Sequence, residues 1–343
     1  MQRETILTVC LVTVMKAINP TGNHKGDDAY FDRLLSYFQS HFQDEIIQLK
    51  PIQKSVFLLK TTKDHFMMKG YHSNRRLRLQ EAFTATLRKE GFLKTYIFLN
   101  PPVKEQLFFE GTYFGCMEYI QPNTTAFSFH TQHERKEGLD LVAQFHQTTA
   151  SFETRYRTLV PKGNIIEKWK ERIDIFIKNS SSLHYFMNES IVSELISWGN
   201  WSIKGMDQNR RYFNQEPFVI LHGDLAHHNF LRDRNGELHL IDFDLISIGP
   251  PSHDYLQYAN RILPYLDWSM EKLTKLNQFR TYLHEEAFLY ALAYPADIYR
   301  EWNRLIRDKS YTSQSKVKQV MDLTLGQFSK RKKFVGHLQE LVK

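Results

Sequence analysis

Three polar residues, Asp224, Asn229 and Asp242, have the types and spacing that metal-assisted chemistry on a phosphate requires. Asp224 closes a His-Gly-Asp triplet, Asn229 comes five residues later, and Asp242 follows thirteen residues after Asn229. Magnesium prefers hard oxygen ligands and takes only one or two from the protein, so an amide and a carboxylate suffice to hold it. The other carboxylate can accept a proton from an attacking hydroxyl and orient it. Phosphoryl transfer from a magnesium nucleotide needs two oxygen ligands for the metal and one free carboxylate, so this set predicts that chemistry.

Short strands flank these residues and would bring them together. The apolar run Phe218–Leu221 predicts a buried strand that delivers Asp224 into a loop. Two β-rich runs on either side of Asn235-Gly236 predict a hairpin, because Asn-Gly is the strongest short hairpin signal. The hairpin would fold Asp242 back beside Asn229.

The rest of the chain divides by pattern into three parts. Residues 1–29 form an N-terminal extension of uncertain status, in which an apolar run has no cleavage site after it. Residues 30–121 predict a lobe of five strands with one helix among them, Arg76–Lys89, ended by Gly91. Residues 122–343 are mainly helical. The predicted strands are Glu45–Ile52, Ser55–Thr61, His65–Tyr71, Thr95–Leu99 and Tyr113–Ile120.

These motifs resemble the aminoglycoside phosphotransferase and choline kinase family. The stretch HGDLAHHN, which ends at Asn229, and the following Asp242 are similar to its catalytic loop and metal-binding aspartate. This resemblance implies that Asp224 is catalytic and that Asn229 and Asp242 are metal ligands. Residues 141–146 resemble its LAxFH helix, and residues 249–254 resemble its GDPxxD segment, in which Asp254 would brace the catalytic loop. In size and style the sequence is most similar to the spore-coat-associated branch and its thiamine-kinase-like and homoserine-kinase-like relatives.

The resemblance implies an α+β, bilobal, protein-kinase-like fold, with a small antiparallel-sheet N-lobe and a larger helical C-lobe. It also implies ATP and Mg²⁺ as cofactors and a small-molecule hydroxyl as the phosphate acceptor. Lys69 and Glu81 resemble the lysine that holds nucleotide phosphates and its glutamate partner. Residues 118–120, which are Glu118, Tyr119 and Ile120, would form the hinge whose backbone reads adenine.

One segment departs from the family pattern and keeps a second function open. Where relatives often have a Gly- or Ser-containing loop over the phosphates, Lys50–Ser55 contains no glycine, so backbone amides cannot easily approach a phosphate. This departure favours a kinase-like structural or binding protein of the spore-coat type, with weak or no catalysis. The intact set of Asp224, Asn229 and Asp242 favours the enzyme.

Composition excludes several other classes. The chain has 343 residues and a net charge of +7, but its basic runs lack the interleaved aromatics of a nucleic-acid-binding module. No stretch has the ~20 apolar residues that cross a bilayer. Two cysteines are too few for a disulfide framework, which predicts a reducing, cytoplasmic location, with spore association as a further expectation from the resemblance. The oligomeric state stays open.

The substrate class and one rival chemistry depend on the helical part. Aromatic residues and carboxylates are dense after Asp254, a combination that suits a cationic substrate, although aromatic residues at helical spacing are also typical of a core. Five histidines would also allow a metallohydrolase, but no HExxH-like motif supports it. They are His146, His222, His227, His228 and His253.

Overall fold

The computed structural model describes residues 24–100, 103 and 105–342. Within these ranges the chain divides into two compact units. The first contains the described residues up to Ser128 together with His227–Asp244, and the second contains Phe129–Ala226 and the described residues from Leu245 onward. Residues 1–23 of the predicted N-terminal extension lie outside the described residues. In the described ranges no helix has the length and apolar character needed to cross a membrane.

The first unit is built on an antiparallel sheet of five strands in the order β1-β2-β3-β5-β4. Its first three strands form the meander that the sequence predicts, because short turns join them in consecutive register. The elements are α1 (His24–His41), β1 (Ile46–Gln53), β2 (Val56–Thr61), β3 (His65–Tyr71), α2 (Asn74–Lys89), β4 (Phe108–Phe109) and β5 (Thr112–Glu118).

The core of the first unit lies between α1 and the sheet. Leu34 and Phe38, one helical turn apart on α1, are fully buried, and Leu59 and Met68 meet them from β2 and β3. Each such side chain contributes about 1.5–3 kcal/mol by leaving water. Helix α1 therefore covers one face of the sheet.

The fifth strand is not where the sequence predicts it. Thr95–Leu99 runs beside β5 but forms only an isolated bridge, between Phe98 and Met117, and the paired edge strand is β4. The regular ladder is interrupted because the Glu118 side chain accepts the backbone N–H of Ile97 at 3.0 Å, a donor that a strand partner would otherwise use.

Helix α2 begins and ends at sequence signals. The Ser73 hydroxyl accepts the backbone N–H of Arg76 at the start of the helix, which satisfies one of its free donors. Gly91, with a φ of +98°, comes directly after the capping residue Glu90 and stops the helix as predicted.

A hairpin from the second half of the chain belongs to the first unit. Its strands are β7 (Phe230–Arg232) and β8 (Leu238–Leu240), and the predicted turn contains Gly236 with a φ of +89°. Leu240 N–H donates to Lys94 O at 2.9 Å, and Asn123 N–H donates to Arg232 O at 2.8 Å. These bonds group the hairpin with the sheet, whereas the predicted division at residues 121 and 122 placed it with the helices.

The second unit is mainly helical. One short antiparallel pair, β6 (Val219–Leu221) with β9 (Ser247–Gly249), lies among its helices. The helices are α3 (Gln132–Ala150), α4 (Ile165–Lys178), α5 (Ser180–Leu183), α6 (Glu189–Gln208), α7 (Ser252–Ile262), α8 (Met270–Thr274), α9 (Glu286–Leu292), α10 (Ala296–Arg307), α11 (Gln314–Leu325) and α12 (Phe328–Leu341).

Candidate active site

The loop after β6 carries Asp224 in the second unit. Strand β6 is fully buried and pairs with β9, so it fixes the point at which the loop begins. Gly223 has a φ of +80°, and a Cβ at this position would collide with the carbonyl oxygen of Leu245. Only glycine fits this turn without a backbone shift, because the left-handed conformation and the close approach both exclude a side chain.

The buried carboxylate of Asp254 braces this loop, as the sequence predicts. It accepts backbone N–H groups of His222 at 2.7 Å and Gly223 at 3.1 Å, and His146 Nε2 lies 2.9 Å from the same group. Burial alone would raise the pKa of Asp254, but the bond from His146 and the charges and amides around it hold that pKa below its usual value. The loop is therefore held by an ionised carboxylate.

Asp254→Asn should destabilise the protein and change its dependence on pH. The amide leaves at least one buried donor without an acceptor, a change that costs about 3 kcal/mol. Because the folded pKa is depressed, the stability from Asp254 is present in full above the unfolded value of about 4 and is lost as pH falls through the folded value. Denaturant titrations between about pH 6 and 3 should show a smaller loss in the variant. The exposed Asp174→Asn on α4 is the control and should keep the wild-type slope.

Gly223→Ala should cost more stability than an alanine placed at an open glycine. Gly236 has a similar φ of +89°, but nothing lies within 4 Å of the position that a Cβ would occupy, so Gly236→Ala measures the left-handed strain alone, about 1–2 kcal/mol. At Gly223 the collision with Leu245 adds about 1–3 kcal/mol. Denaturant titration of both variants measures the difference, and equal losses would show that the loop relaxes freely.

The carboxylate of Asp224 is one-third exposed and lies beside a guanidinium. Its Oδ1 is 3.3 Å from Nη2 of Arg261, and its side chain is 33% accessible, which leaves it open to an incoming hydroxyl. Gln257 fixes the backbone on both sides, since its amide donates to Gly223 O at 2.9 Å and its oxygen accepts Leu225 N–H. This arrangement suits a group that positions a substrate and accepts a proton.

Asn229 and Asp242 lie together in the first unit. The Asn229 carbonyl oxygen accepts the N–H of Ile241 at 3.0 Å, so the hairpin holds Asp242 next to Asn229, as the sequence predicts. Asp242 has a φ of +67°, a left-handed conformation that aspartate and asparagine tolerate better than other non-glycine residues. Both residues line one cavity and offer hard oxygen atoms.

Lys69 on β3 contacts the same carboxylate. Its Nζ lies 2.8 Å from Asp242 Oδ1 and 2.8 Å from Asp244 Oδ2, and its side chain is only 12% exposed. Asp244, which the sequence motifs do not single out, has a buried Oδ1 with no hydrogen-bond partner among the described residues. The sequence signal that could have identified Asp244 is its position two residues after Asp242, in the run Asp-Phe-Asp. Two carboxylates and one amide thus give a donor set that fits Mg²⁺.

The structure does not bring Glu81 to Lys69. Glu81 accepts a hydrogen bond from Arg78 at 2.8 Å on the same helix. The residue of α2 that faces the site is Gln80, which is buried and donates to the carbonyl oxygen of Phe243 at 2.9 Å. The expected pair fails by one helix position: a shift of one residue turns a side chain about 100° around a helix.

The predicted hinge lies at the wall of the cavity. The cavity has a volume of about 210 Å³, far more than one water needs, and apolar side chains form most of its wall. Glu118 ends β5, and its own N–H already donates to Ile97 O at 3.0 Å. Tyr119 and Ile120 follow β5 directly and line the same cavity, so all three predicted hinge residues lie at its wall. The apolar part of the wall includes Ile52, Val56, Leu58, Met67, Met117, Phe127, Phe230 and Ile241.

The segment without glycine is mostly strand. β1 continues to Gln53, and Gln53 pairs with Val56 across a two-residue turn formed by Lys54 and Ser55. Ser55 takes a φ of +62°, and its carbonyl oxygen accepts the N–H of Gly70 at 2.7 Å. The chain therefore has a tight two-residue turn within the segment that contains no glycine.

The histidines do not form a metal site of the kind a metallohydrolase needs. His146 contacts Asp254, and Nδ1 of His222 accepts the Asp224 N–H at 3.3 Å. Burial lowers the pKa of His253 to about 4. In the described ranges, the group with ligand-like spacing comprises Asp233, Glu237 and His239, and it includes none of the five histidines.

The aromatic residues after Asp254 mainly form the core. Tyr258, Tyr294, Tyr299 and Trp302 are fully buried. Their polar atoms are used internally, for example by the Tyr294 hydroxyl, which donates to Trp169 O at 2.6 Å. The core interpretation that the sequence left open is therefore correct for these four residues.

A protein-family model matches the part of the chain that carries these residues. A model of the phosphotransferase enzyme family matches residues 187–287, a segment that contains Asp224, Asn229, Asp242 and Asp254. No curated protein matches the sequence.

Solved structures match over most of the chain. An aminoglycoside phosphotransferase from Alicyclobacillus acidocaldarius is 15% identical with a TM-score of 0.66, and the match covers 88% of this chain and 94% of that one. An amicoumacin kinase in complex with AMP-PNP and Ca²⁺ is 14% identical with a TM-score of 0.55, covering 88% and 97%. Choline kinase LicA from Streptococcus pneumoniae is 13% identical with a TM-score of 0.50, covering 90% and 99%. The chain therefore has the protein-kinase-like fold of the aminoglycoside phosphotransferases, with the antiparallel-sheet N-lobe and helical C-lobe that the sequence predicts.

Proposed function

We propose that this protein is an ATP-dependent kinase that phosphorylates a hydroxyl group of a small molecule. The contact between Lys69 and Asp242 carries the proposal, because it joins a phosphate-binding cation to a metal-binding carboxylate at the edge of one apolar cavity. The phosphotransferase family model and the three kinases of the same fold support this assignment.

The residues of the first unit would bind the nucleotide. The apolar wall accepts the adenine ring, and the peptide groups of Tyr119 and Ile120 read its edge. Lys69 steadies the phosphates, while Asn229 and Asp242, with Asp244 as a further candidate, hold the metal. When bound, Mg²⁺ neutralises the charge of the phosphates.

Asp224 would act on the acceptor. Its carboxylate orients the substrate hydroxyl and accepts its proton as the oxygen attacks the γ-phosphorus. A new bond forms between the hydroxyl oxygen and phosphorus, the bond from phosphorus to the bridging oxygen breaks, and ADP leaves. Positioning and charge neutralisation provide most of the rate enhancement in such a site.

A second candidate function is a kinase-like binding or structural protein, for example a spore-coat component. The tight turn at Lys54 and Ser55 favours it, because this turn provides no glycine-rich backbone to cover the phosphates. The enzyme is the better-supported function, since such a protein would not need to keep Asp224, Asn229 and Asp242. A requirement for ATP favours the cytoplasm as the site of action.

Transfer of labelled phosphate tests the proposed function. The full chain is incubated with γ-labelled ATP, Mg²⁺ and a panel of neutral, cationic and anionic hydroxyl compounds, and the products are separated by chromatography. A labelled product that disappears with Asp224→Asn supports the kinase. Nucleotide binding without any labelled product across the panel would favour the binding protein.

A further inference from the structure

Four cationic side chains lie around Asp224 in the second unit. Lys168 and Arg172 are one turn apart on α4 and so share a face of that helix. Arg261 is in the last turn of α7 and contacts Asp224 at 3.3 Å. Arg300 is on α10, the helix that packs against α4.

Hydrogen bonds between α4 and α10 show that Arg172 and Arg300 belong to one cluster. Arg172 Nη1 donates to Ala296 O at 3.3 Å, and Asn303 Nδ2 donates to Arg172 O at 2.8 Å. Residues 296, 300 and 303 share one stripe of a helix. Arg300 therefore lies on the stripe of α10 that faces α4.

The carboxylates nearby do not balance these cations. Asp297 is paired with Arg331, at 2.7 Å, and Glu301 is paired with Arg300, at 2.9 Å. In the described part of the chain, neither Lys168 nor Arg172 has a carboxylate within ion-pair distance. The cluster thus keeps an excess of positive charge beside Asp224.

The cations of this cluster lower one another's pKa values. Loss of hydration lowers the pKa of Lys168, and the charges of Arg172 and Arg300 lower it further. Burial and Arg300 likewise lower the pKa of Arg261, although Asp224 opposes the change. Asp224 and Glu301 balance only two of the four cations, and an anionic ligand would reduce the remaining repulsion between them.

We propose that the phosphate acceptor carries an anionic group, a carboxylate or a phosphate, that Lys168, Arg172, Arg261 and Arg300 bind while Asp224 receives the hydroxyl. This inference rests on the proposed kinase function and names its substrate class. The proposed acceptor is anionic, whereas the aromatic residues and carboxylates after Asp254 favour a cationic substrate in the sequence analysis. Those aromatic residues are largely core, and two of the carboxylates, Asp297 and Glu301, are paired with arginines.

Binding of a matched series of hydroxyl compounds tests the proposal. The full chain is titrated with glycerate, glycerol 3-phosphate, glycerol, choline and kanamycin, each with and without Mg²⁺ and AMP-PNP, and the melting temperature is recorded. We expect the two anionic compounds to raise it and glycerol, choline and kanamycin to leave it unchanged. A response to glycerate alone or to glycerol 3-phosphate alone identifies the anion as a carboxylate or a phosphate.

Lys168→Gln and Lys178→Gln form a matched pair, because both lysines lie on α4 and the charge change is the same. Lys168→Gln should weaken anion binding about tenfold or more, as expected for loss of a hydrogen bond from a charged donor. Lys178→Gln should bind as wild type does.

The outcomes separate this proposal from the proposed function. Equal anion binding by Lys168→Gln and Lys178→Gln, or a response confined to choline and kanamycin, overturns the anionic acceptor even where AMP-PNP binds. An anion response that depends on Lys168, with no response to AMP-PNP, supports the anion site and overturns the kinase.

Discussion

Asp224→Asn is expected to lower the rate of phosphoryl transfer by about 10²–10⁴-fold. The asparagine amide keeps the size of the side chain but cannot accept the hydroxyl proton. Nucleotide affinity should be unchanged, because the cavity that we propose for the nucleotide is formed by residues of the first unit, whereas Asp224 belongs to the second. Single-turnover transfer to an acceptor found in the panel measures the first effect, and titration with AMP-PNP measures the second.

The exposed Asp174→Asn on α4 is the control for this experiment. It removes the same charge from the same unit and should keep the wild-type rate. A loss of nucleotide affinity in Asp224→Asn as large as its loss of rate would contradict the separate role of Asp224. A rate within about tenfold of wild type would show that positioning alone, without a base, accounts for transfer.

Asp242→Asn is expected to weaken binding of the magnesium nucleotide by roughly 100-fold or more, since loss of even an outer-shell partner costs 10–100-fold in metal affinity. The variant should fold, because asparagine tolerates the φ of +67° and Lys69 keeps its contact with Asp244. Isothermal titration with AMP-PNP, with and without Mg²⁺, measures the change.

The matched control for Asp242 is the exposed Asp64→Asn in the turn before β3, which removes a charge from the same unit. It should bind the nucleotide as wild type does. If Asp242→Asn bound AMP-PNP equally well with and without Mg²⁺ and as tightly as wild type, Asp242 would not be a metal ligand.

The sequence predicts the parts of the site that local rules determine. The Asn235-Gly236 turn fixes the hairpin, and the hairpin fixes Asp242 beside Asn229, so one turn signal between two β-rich runs suffices to predict this contact. The brace by Asp254 is equally predictable from the resemblance of residues 249–254 to the GDPxxD segment. Helix α2 follows from its cap at Ser73 and its stop at Gly91.

The parts that depend on tertiary packing are not predictable in the same way. Periodicity alone does not tell whether Gln80 or Glu81 faces the site, because neighbouring helix positions differ by about 100°. The run Thr95–Leu99 has the composition of a strand, but the side chain of Glu118 takes one of its backbone donors.

The positive charge around Asp224 is also not predictable from the sequence. Its four cations come from three helices spread over more than a hundred residues, between Lys168 and Arg300. No short motif contains them, whereas the aromatic residues that form the core are conspicuous in one stretch. The packing of α4 against α10 brings Arg172 and Arg300 into one cluster.

A thermal-shift titration with ATP, with and without Mg²⁺, on the wild type and Asp242→Asn tests the central claim most directly. Ligand at ~100 times its dissociation constant stabilises the folded state by roughly 2.7 kcal/mol. We predict a rise in the wild-type melting temperature that requires Mg²⁺ and is lost in Asp242→Asn. No rise at millimolar ATP, or an equal rise in both proteins, would contradict the assignment of Asp242 and its cavity to a magnesium nucleotide.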